Sequence, residues 1–329
     1  MTGGASRTIL VTGAAGFIGA AVTEALLTRG DSVIGVDNLN DYYDVALKQA
    51  RLARLTQHKH FDFHQIDISD RDRMLKLAAD FPAITHIVHL GAQAGVRYSL
   101  INPYAYVTAN VMGQVVMLEV ARALPGLKHF VYASSSSVYG ANTKTPFAVG
   151  DAVEQPNSLY AATKRADELF GHAYAHLYGI PSTGLRFFTV YGPWGRPDMA
   201  PILFVKAISA GELVRVFNHG EMWRDFTYID DIVEGVVRAL DRPPSQTPPH
   251  ALYNLGNNKT EKLTDFIAEI EKALGRKAQM KMEPMQPGDV PATSADIESS
   301  RRDLGFDPKT PISQGIPKFV GWFKNYYGA

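Results

Sequence analysis

The sequence predicts an α/β fold organised on a doubly wound parallel sheet, on three observations. Short apolar runs alternate with helix-like segments through the first half of the 329-residue chain. Gly13, Gly16 and Gly19 follow the first of these runs at intervals of three, and Asp37 closes the second. The alternation is that of βαβ units, and the glycines and the acid stand where a Rossmann-like dinucleotide unit needs them.

Thr8–Thr12 is short, apolar and rich in β-branched side chains, and it stops at Gly13, so it reads as a buried parallel strand. The three glycines let the chain turn off that strand and let backbone N–H groups approach a pyrophosphate. They also let the next helix, expected over 20–28 and closed by Gly30, pack on the sheet. Residues 31–37 form the second strand. Its Asp37 lies about twenty residues past the central glycine, where a carboxylate accepts bonds from a ribose 2′-OH and repels a 2′-phosphate, so NAD is favoured over NADP. Further strands are read at 61–66, 84–90 and 129–134, with helices at 70–81, 107–123 and 160–178. Asp67-Ile68, Gly91-Ala92-Gln93 and the serines 134–137 then fall at carboxyl ends of strands, where the ligand crevice of such a sheet opens. The proline-rich stretch 241–250 reads as a surface loop, and no internal repeat is visible.

The length allows a large core in two lobes or two domains. Lys and Arg together number 33, as do Asp and Glu, which removes the electrostatic case for nucleic acid or an anionic membrane surface. Cysteine is absent, so disulfides and thiolate chemistry are excluded and a reducing cytoplasm is the default location. The apolar run from Thr8 superficially resembles a secretory signal, but its glycine spacing explains it better. Glu24 and Arg29 end it short of bilayer length, and no other uncharged run is long enough to span a membrane. His58, His60 and His64 lack an accompanying acid or cysteine ligand set, so no metal is expected; His86 and His89 read as core or strand-end residues.

The second chemical feature is Tyr160-Ala-Ala-Thr-Lys164, preceded by Ser134-Ser135-Ser136-Ser137-Val138-Tyr139-Gly140. If 160–178 is one helix, Tyr160 and Lys164 are one turn apart on one face. The ammonium can then lie beside the phenol and favour its ionised form, which suits a base, while the serine run offers a hydroxyl to the same crevice.

These motifs resemble those of the extended short-chain dehydrogenase/reductases, in the nucleotide-sugar epimerase and dehydratase family. The similarity runs through TGAAGFIG, VDNLN, HLGAQAGVRYS, Asn110, SSSSVYG, YAATK, RFFTVYGP, RDFTYIDD and PGDVPATSAD, in the family's order over nearly the whole chain. It implies that NAD is held by Gly13, Gly16, Gly19, Asp37, Asp67, Ile68, Tyr160 and Lys164, with Phe17, Ile18, Asn38, Leu90, Ala92, Gln93 and Asn110 completing the set. It implies Tyr160 as catalytic base, Ser135 bonded to the reacting sugar hydroxyl, and Lys164 and Ser136 as the rest of the catalytic group. It also implies an NAD domain over 1–180 and a smaller C-terminal α/β substrate lobe over 181–329, with residues 215–256 partly returning to the large domain. The UDP-sugar substrate would meet Arg97, Ser135, Ser137, Thr189, Arg196, Arg224 and Asp289, and helices near 103–123 and 160–178 would pair two copies into a homodimer.

Two departures narrow the reaction. The 4,6-dehydratases and the decarboxylases of the family carry carboxylates just after the catalytic hydroxyl residue, whereas this chain has Ser136 and Ser137, so elimination is not expected and epimerisation is. Thr189 stands where UDP-galactose 4-epimerases have asparagine, and the segment Trp194-Gly195-Arg196 resembles UDP-glucuronate 4-epimerases. An arginine fork is the side chain best suited to a sugar carboxylate, and a threonine hydroxyl can add a bond; the alternative is that Arg196 pairs with Asp198 or a diphosphate. The expected activity is NAD-dependent epimerisation at C4 of UDP-glucuronate. A neutral-sugar 4-epimerase and a non-catalytic nucleotide-sugar-binding protein are the alternatives. Many relatives have arginine where Gln286 stands, which leaves the neutralisation of the diphosphate open.

Overall fold

The computed structural model describes residues 7–286 and 289–328. Its strands, in chain order, are β1 Thr8–Thr12, β2 Ser32–Asp37, β3 Phe61–Gln65, β4 Ile84–His89, β5 His129–Ser135 and β6 Ser182–Phe187, then β7 Thr189–Tyr191, β8 Leu213–Val216, β9 Trp223–Tyr228, β10 His250–Leu255, β11 Thr260–Lys262 and β12 Gln279–Met282. Seven of them form one parallel sheet in the order β10-β6-β5-β4-β1-β2-β3. The winding direction reverses beside β1, so a crevice opens past the carboxyl ends of β1 and β4.

Both faces of the sheet are apolar because helices cover both. Ile9 and Val11 of β1 point into a layer with Val22 and Leu26 of helix Phe17–Arg29, while Leu10 points to the other side, with Val116 and Val120 of helix Gly113–Ala123. The expected strands and helices of the first half are present, with ends moved by one to three residues. The expected helix over 107–123 differs in kind. Helix Pro103–Tyr106, capped by Asn102, runs into a π-helical stretch Val107–Met112 before Gly113–Ala123. The widened turn places Asn110 inward, where its side chain serves as a bridge described below.

The large sheet does not stop at residue 180, because β6 and β10 add to its edge beyond β5, and helix Ile229–Leu240 packs on helix Phe17–Arg29. The remaining strands make a three-stranded sheet, β11-β9-β7, and a two-stranded one, β12-β8. Helices Ala200–Ala210, Leu263–Leu274 and Ile312–Tyr327 pack with these small sheets. One buried acid ties this lobe together. Asp225 of β9 accepts bonds from the backbone N–H groups of Asn257, Asn258 and Ala295 and from the Thr227 hydroxyl, and burial pushes its carboxyl up to about 6.

Candidate active site

A cleft of about 1080 Å³ opens past the carboxyl ends of the large sheet and continues between it and the smaller sheets. Its first wall is backbone. Gly13 has φ +70, and a Cβ there would lie 2.8 Å from the Gly91 nitrogen; a Cβ on Gly19 would lie 1.9 Å from the Gly13 oxygen. Only hydrogen fits, so the turn and helix Phe17–Arg29 approach β1 and β4 closely. That helix begins at Gly16 with no side-chain cap, which leaves first-turn N–H groups directed at the cleft for an anion. Asp37 ends β2 beside them, accepting from the Ala15 N–H at 3.2 Å and from the Leu39 N–H at 2.8 Å. Asp67 accepts from Asn38, and from the Ser69 amide and hydroxyl. Burial works against its charge, but these bonds outweigh it and hold the carboxyl below its usual range.

Phe17, Ile18, Ile68, Leu90, Ala92 and Gln93 also line this part of the cleft. Asn110, expected beside them, stands behind the wall. Its amide accepts from the Gln93 N–H at 2.8 Å and donates to the Gln93 carbonyl and the Thr163 hydroxyl, both at 3.0 Å. It therefore ties the loop after β4 to the helix that carries Tyr160.

That helix, Leu159–Tyr178, is capped by the Ser158 hydroxyl, which accepts from the Ala161 N–H. Tyr160 and Lys164 lie one turn apart and both face the cleft, with Tyr106 edge-on to the Tyr160 ring at 6.0 Å. The buried Lys164 ammonium donates to the Ala133 carbonyl at 2.9 Å and to Asp167 at 3.0 Å. Asp167 is buried as well, and burial pushes its carboxyl up to about 6 despite Lys164. The four serines separate in role. Ser134 donates to Glu168 at 2.6 Å, in a buried network with Arg186. The Ser135 oxygen accepts from the Ser137 N–H, and Ser135, Ser136 and Ser137 all line the cleft.

Beyond the serines the wall is made of side chains. Thr189 and Arg196 line it, and Arg196 makes a forked pair with Asp198, Nε to Oδ1 at 3.1 Å and Nη2 to Oδ2 at 2.5 Å. This intramolecular acid is one of the partners the sequence allows for Arg196. The Tyr42 hydroxyl donates to the same Asp198 carboxylate at 3.1 Å, and burial together with Asp198 pushes the phenol up to about 12. Further out, Arg97 reaches Asp289 of the other lobe at 3.2 Å, and Arg224 donates to the carbonyls of Trp223 and Pro291. Arg97, Arg224 and Gln286 all line the cleft, so two guanidinium groups stand on the wall that carries the glutamine. Pro287 and Gly288 of the PGDVPATSAD segment lie outside the described residues.

The fold agrees with comparisons to known proteins. A model of the NAD dependent epimerase/dehydratase family matches residues 9–256. The chain belongs to that family. It is 48% identical to UDP-glucuronate 4-epimerase 2 of Arabidopsis thaliana, over 97% of this chain and 76% of that one. It is 46% identical to a probable UDP-glucuronate 4-epimerase of Rhizobium meliloti (strain 1021), over 97% of each. A crystal structure of the UDP-glucuronic acid 4-epimerase of Bacillus cereus with UDP-glucuronic acid and NAD superposes with a TM-score of 0.91 at 34% identity, covering 98% of this chain and 100% of that one.

Within this family member, His86 and His89 are buried in the large sheet. His89 shares a 2.7 Å bond with the Thr12 hydroxyl, and burial holds it down to about 3; His86 is similarly held to about 4. Among the described residues no group of acids, histidines or cysteines could hold a metal, and no helix is long and apolar enough to cross a membrane. Arg51, on helix Val45–Leu55, is not among the site residues expected from the sequence, yet its side chain is wholly buried and bonded to both the glycine turn and the Trp194-Gly195 turn. A signal existed. Leu47, Arg51 and Leu55 recur at helical spacing on the buried face, so an arginine stands in the apolar stripe.

Proposed function

We propose that the chain interconverts UDP-glucuronate and UDP-galacturonate by epimerisation at C4, with NAD as its resident cofactor. The observation that carries this reading is that Tyr160, Lys164, Ser135 and Arg196 open on one cleft whose far end is the glycine turn and Asp37. The residues suit NAD: Gly13, Gly16 and Gly19 leave room for a pyrophosphate at a helix N-terminus, and Asp37 offers an acceptor to a ribose hydroxyl. NAD, when bound, takes up a hydride from C4 and gives it back.

Tyr160 removes the proton from the C4 hydroxyl and returns it after the sugar has turned, while Ser135 hydrogen-bonds the same oxygen. Lys164, whose ammonium donates to the Ala133 carbonyl and to Asp167, lies one helical turn from Tyr160 and keeps positive charge near the phenol. Ser136 and Ser137 supply hydroxyls and no carboxylate, so no acid stands ready to expel water. Arg97 and Arg224 meet the diphosphate. Arg196 and Thr189 hold the uronate carboxylate. Oxidation at C4 makes a β-keto acid, which loses carbon dioxide when the carboxylate bond aligns with the ketone π-system, and the grip of Arg196 and Thr189 keeps it out of that alignment.

Two copies form the working unit, in the cytoplasm. Ile101, Tyr104, Met112, Leu169, Leu177 and Tyr178 are exposed on the segment spanning 100–112 and on helix Leu159–Tyr178, which pack together and so present an apolar face suited to a second copy. Light scattering should give twice the chain mass at micromolar protein.

The deciding assay offers UDP-glucuronate labelled with deuterium at C4. The product should be UDP-galacturonate that keeps the label, with little carbon dioxide; UDP-xylose or its 4-keto form as main product would overturn the reading. A second reading, epimerisation of neutral UDP-hexoses, is favoured by the pairing of Arg196 with Asp198, which occupies the fork. It predicts that UDP-glucose is turned over at least as well as UDP-glucuronate.

A further inference from the structure

Arg51 is an anomaly in charge placement. Its side chain is 0% exposed, and among the described residues no carboxylate bonds it. A buried guanidinium without an anion is costly unless its N–H groups are all used. Here they are spent mostly on backbone oxygens of two loops. Nη1 donates to the Ala15 carbonyl at 3.1 Å and to the Tyr43 hydroxyl at 2.7 Å. Nε and Nη2 donate to the Trp194 carbonyl at 3.0 and 2.7 Å, and Nη2 also to the Gly195 carbonyl at 3.1 Å.

The two loops have different duties. Ala15 sits inside the glycine turn, and its N–H is bonded to Asp37, so this end belongs to the cofactor site. Trp194 and Gly195 immediately precede Arg196. Trp194 has φ +65, a left-handed conformation that is unfavourable for a non-glycine residue and persists only where its surroundings enforce it. Its carbonyl is held by Arg51, and its ring lies under Arg54 and against Trp322 and Tyr326. A lysine could not do this, because a compact ammonium cannot span two carbonyls on one loop and a third on another in one plane.

We infer that Arg51 is a positioning residue that locks the Arg196 turn onto the glycine turn, so that recognition of the sugar carboxylate depends on an ordered cofactor site. This rests on the reading of Arg196 as the carboxylate ligand. Arg51 touches neither ligand; it sets where Arg196 points.

The test compares affinities for UDP and UDP-glucuronate, by calorimetry on the holoenzyme. In Arg51→Lys the dissociation constant for UDP-glucuronate should rise about tenfold or more, the worth of charge-assisted bonds, while that for UDP changes by less than about twofold. Bound NAD, measured after denaturation, should fall below its wild-type content. Tyr43→Phe removes one Arg51 bond and leaves the charge; it should move the same ratio in the same direction by a smaller factor, and it decides the matter if Arg51→Lys does not fold. Equal losses of UDP and UDP-glucuronate affinity would mean that Arg51 only supports the fold and would overturn the inference, as would no change in either. A wild type that does not convert UDP-glucuronate would instead overturn the substrate reading, and the inference with it.

Discussion

At the cofactor end of the cleft the wall is backbone, and at the sugar end it is side chain. Gly13 and Gly19 are fixed by contacts that admit no Cβ, and Asp37 is bonded to the amides of Ala15 and Leu39 in its own neighbourhood. Arg196, Arg97 and Asp289 instead form ion pairs with side-chain exposures from 20% to 55%, whose partners a ligand can replace. Geometry at the first end is inseparable from the fold, because moving it means moving β1 and β4. Charge at the second end is exchangeable at little cost to the fold, since partly exposed pairs contribute modestly to stability. A family that keeps one cofactor and varies its sugar is served by that division.

The sharpest way to break the comparison is Gly19→Ala. The added Cβ meets the Gly13 backbone oxygen at 1.9 Å, which cannot give way like a flexible side chain, so the variant should lose bound NAD and about 3 kcal/mol of stability. Absorbance of released NAD and a denaturant titration check it, and a stable, NAD-loaded variant would show the cradle to be adaptable.

Tyr160→Phe comes next, at the seam between the two ends. Turnover should fall by about 10² to 10⁴, the usual worth of a positioned acid/base, with melting temperature and bound NAD kept. Near-normal turnover would assign the proton to another group.

Arg196→Ala addresses the sugar end alone. KM for UDP-glucuronate should rise about tenfold to a hundredfold, carbon dioxide release should increase, and melting temperature should stay close to wild type. If stability fell as far as in Gly19→Ala, the two ends would not differ in kind.

The pH dependence of stability tests the large sheet as a whole. Burial depresses His89 to about 3 and His86, His129 and His250 to about 4, all in the large sheet. Between about pH 4 and 6.5 the unfolded chain binds protons that these folded histidines refuse, so their contribution is present above about 6.5 and lost as pH falls. Asp167 and Asp225, raised to about 6, work in the opposite sense: the folded state binds the extra proton, and their contribution is lost as pH rises through about 6. Four groups oppose two, so the urea midpoint should fall from pH 7 to 4.5, and more steeply in Asp225→Asn, where one opposing group is gone.

The legible part of the site is the part made by neighbours in sequence. Periodicity placed β1, β2 and the helix that carries Tyr160 and Lys164, and glycine spacing placed the turn. The π-helical stretch Val107–Met112 was not legible, because it answers to Asn110 bridging Gln93 and Thr163 across the fold. Nor was the division of the serines, since Ser134 and Ser135 differ only in which side of β5 holds Glu168.

By itself the sequence determined the strand-turn-helix cradle, the acid at the end of β2, the tyrosine–lysine pair and the family's order of motifs, because steric limits on the backbone and side-chain periodicity act within a few residues. Tertiary structure alone decided that Arg196 holds Asp198 under Tyr42, that Arg97 reaches Asp289 across 192 residues, and that Arg51 grips Trp194 across 143. A charge's partner is whatever the folded chain brings within about 4 Å of it, and no spacing in the sequence encodes that distance.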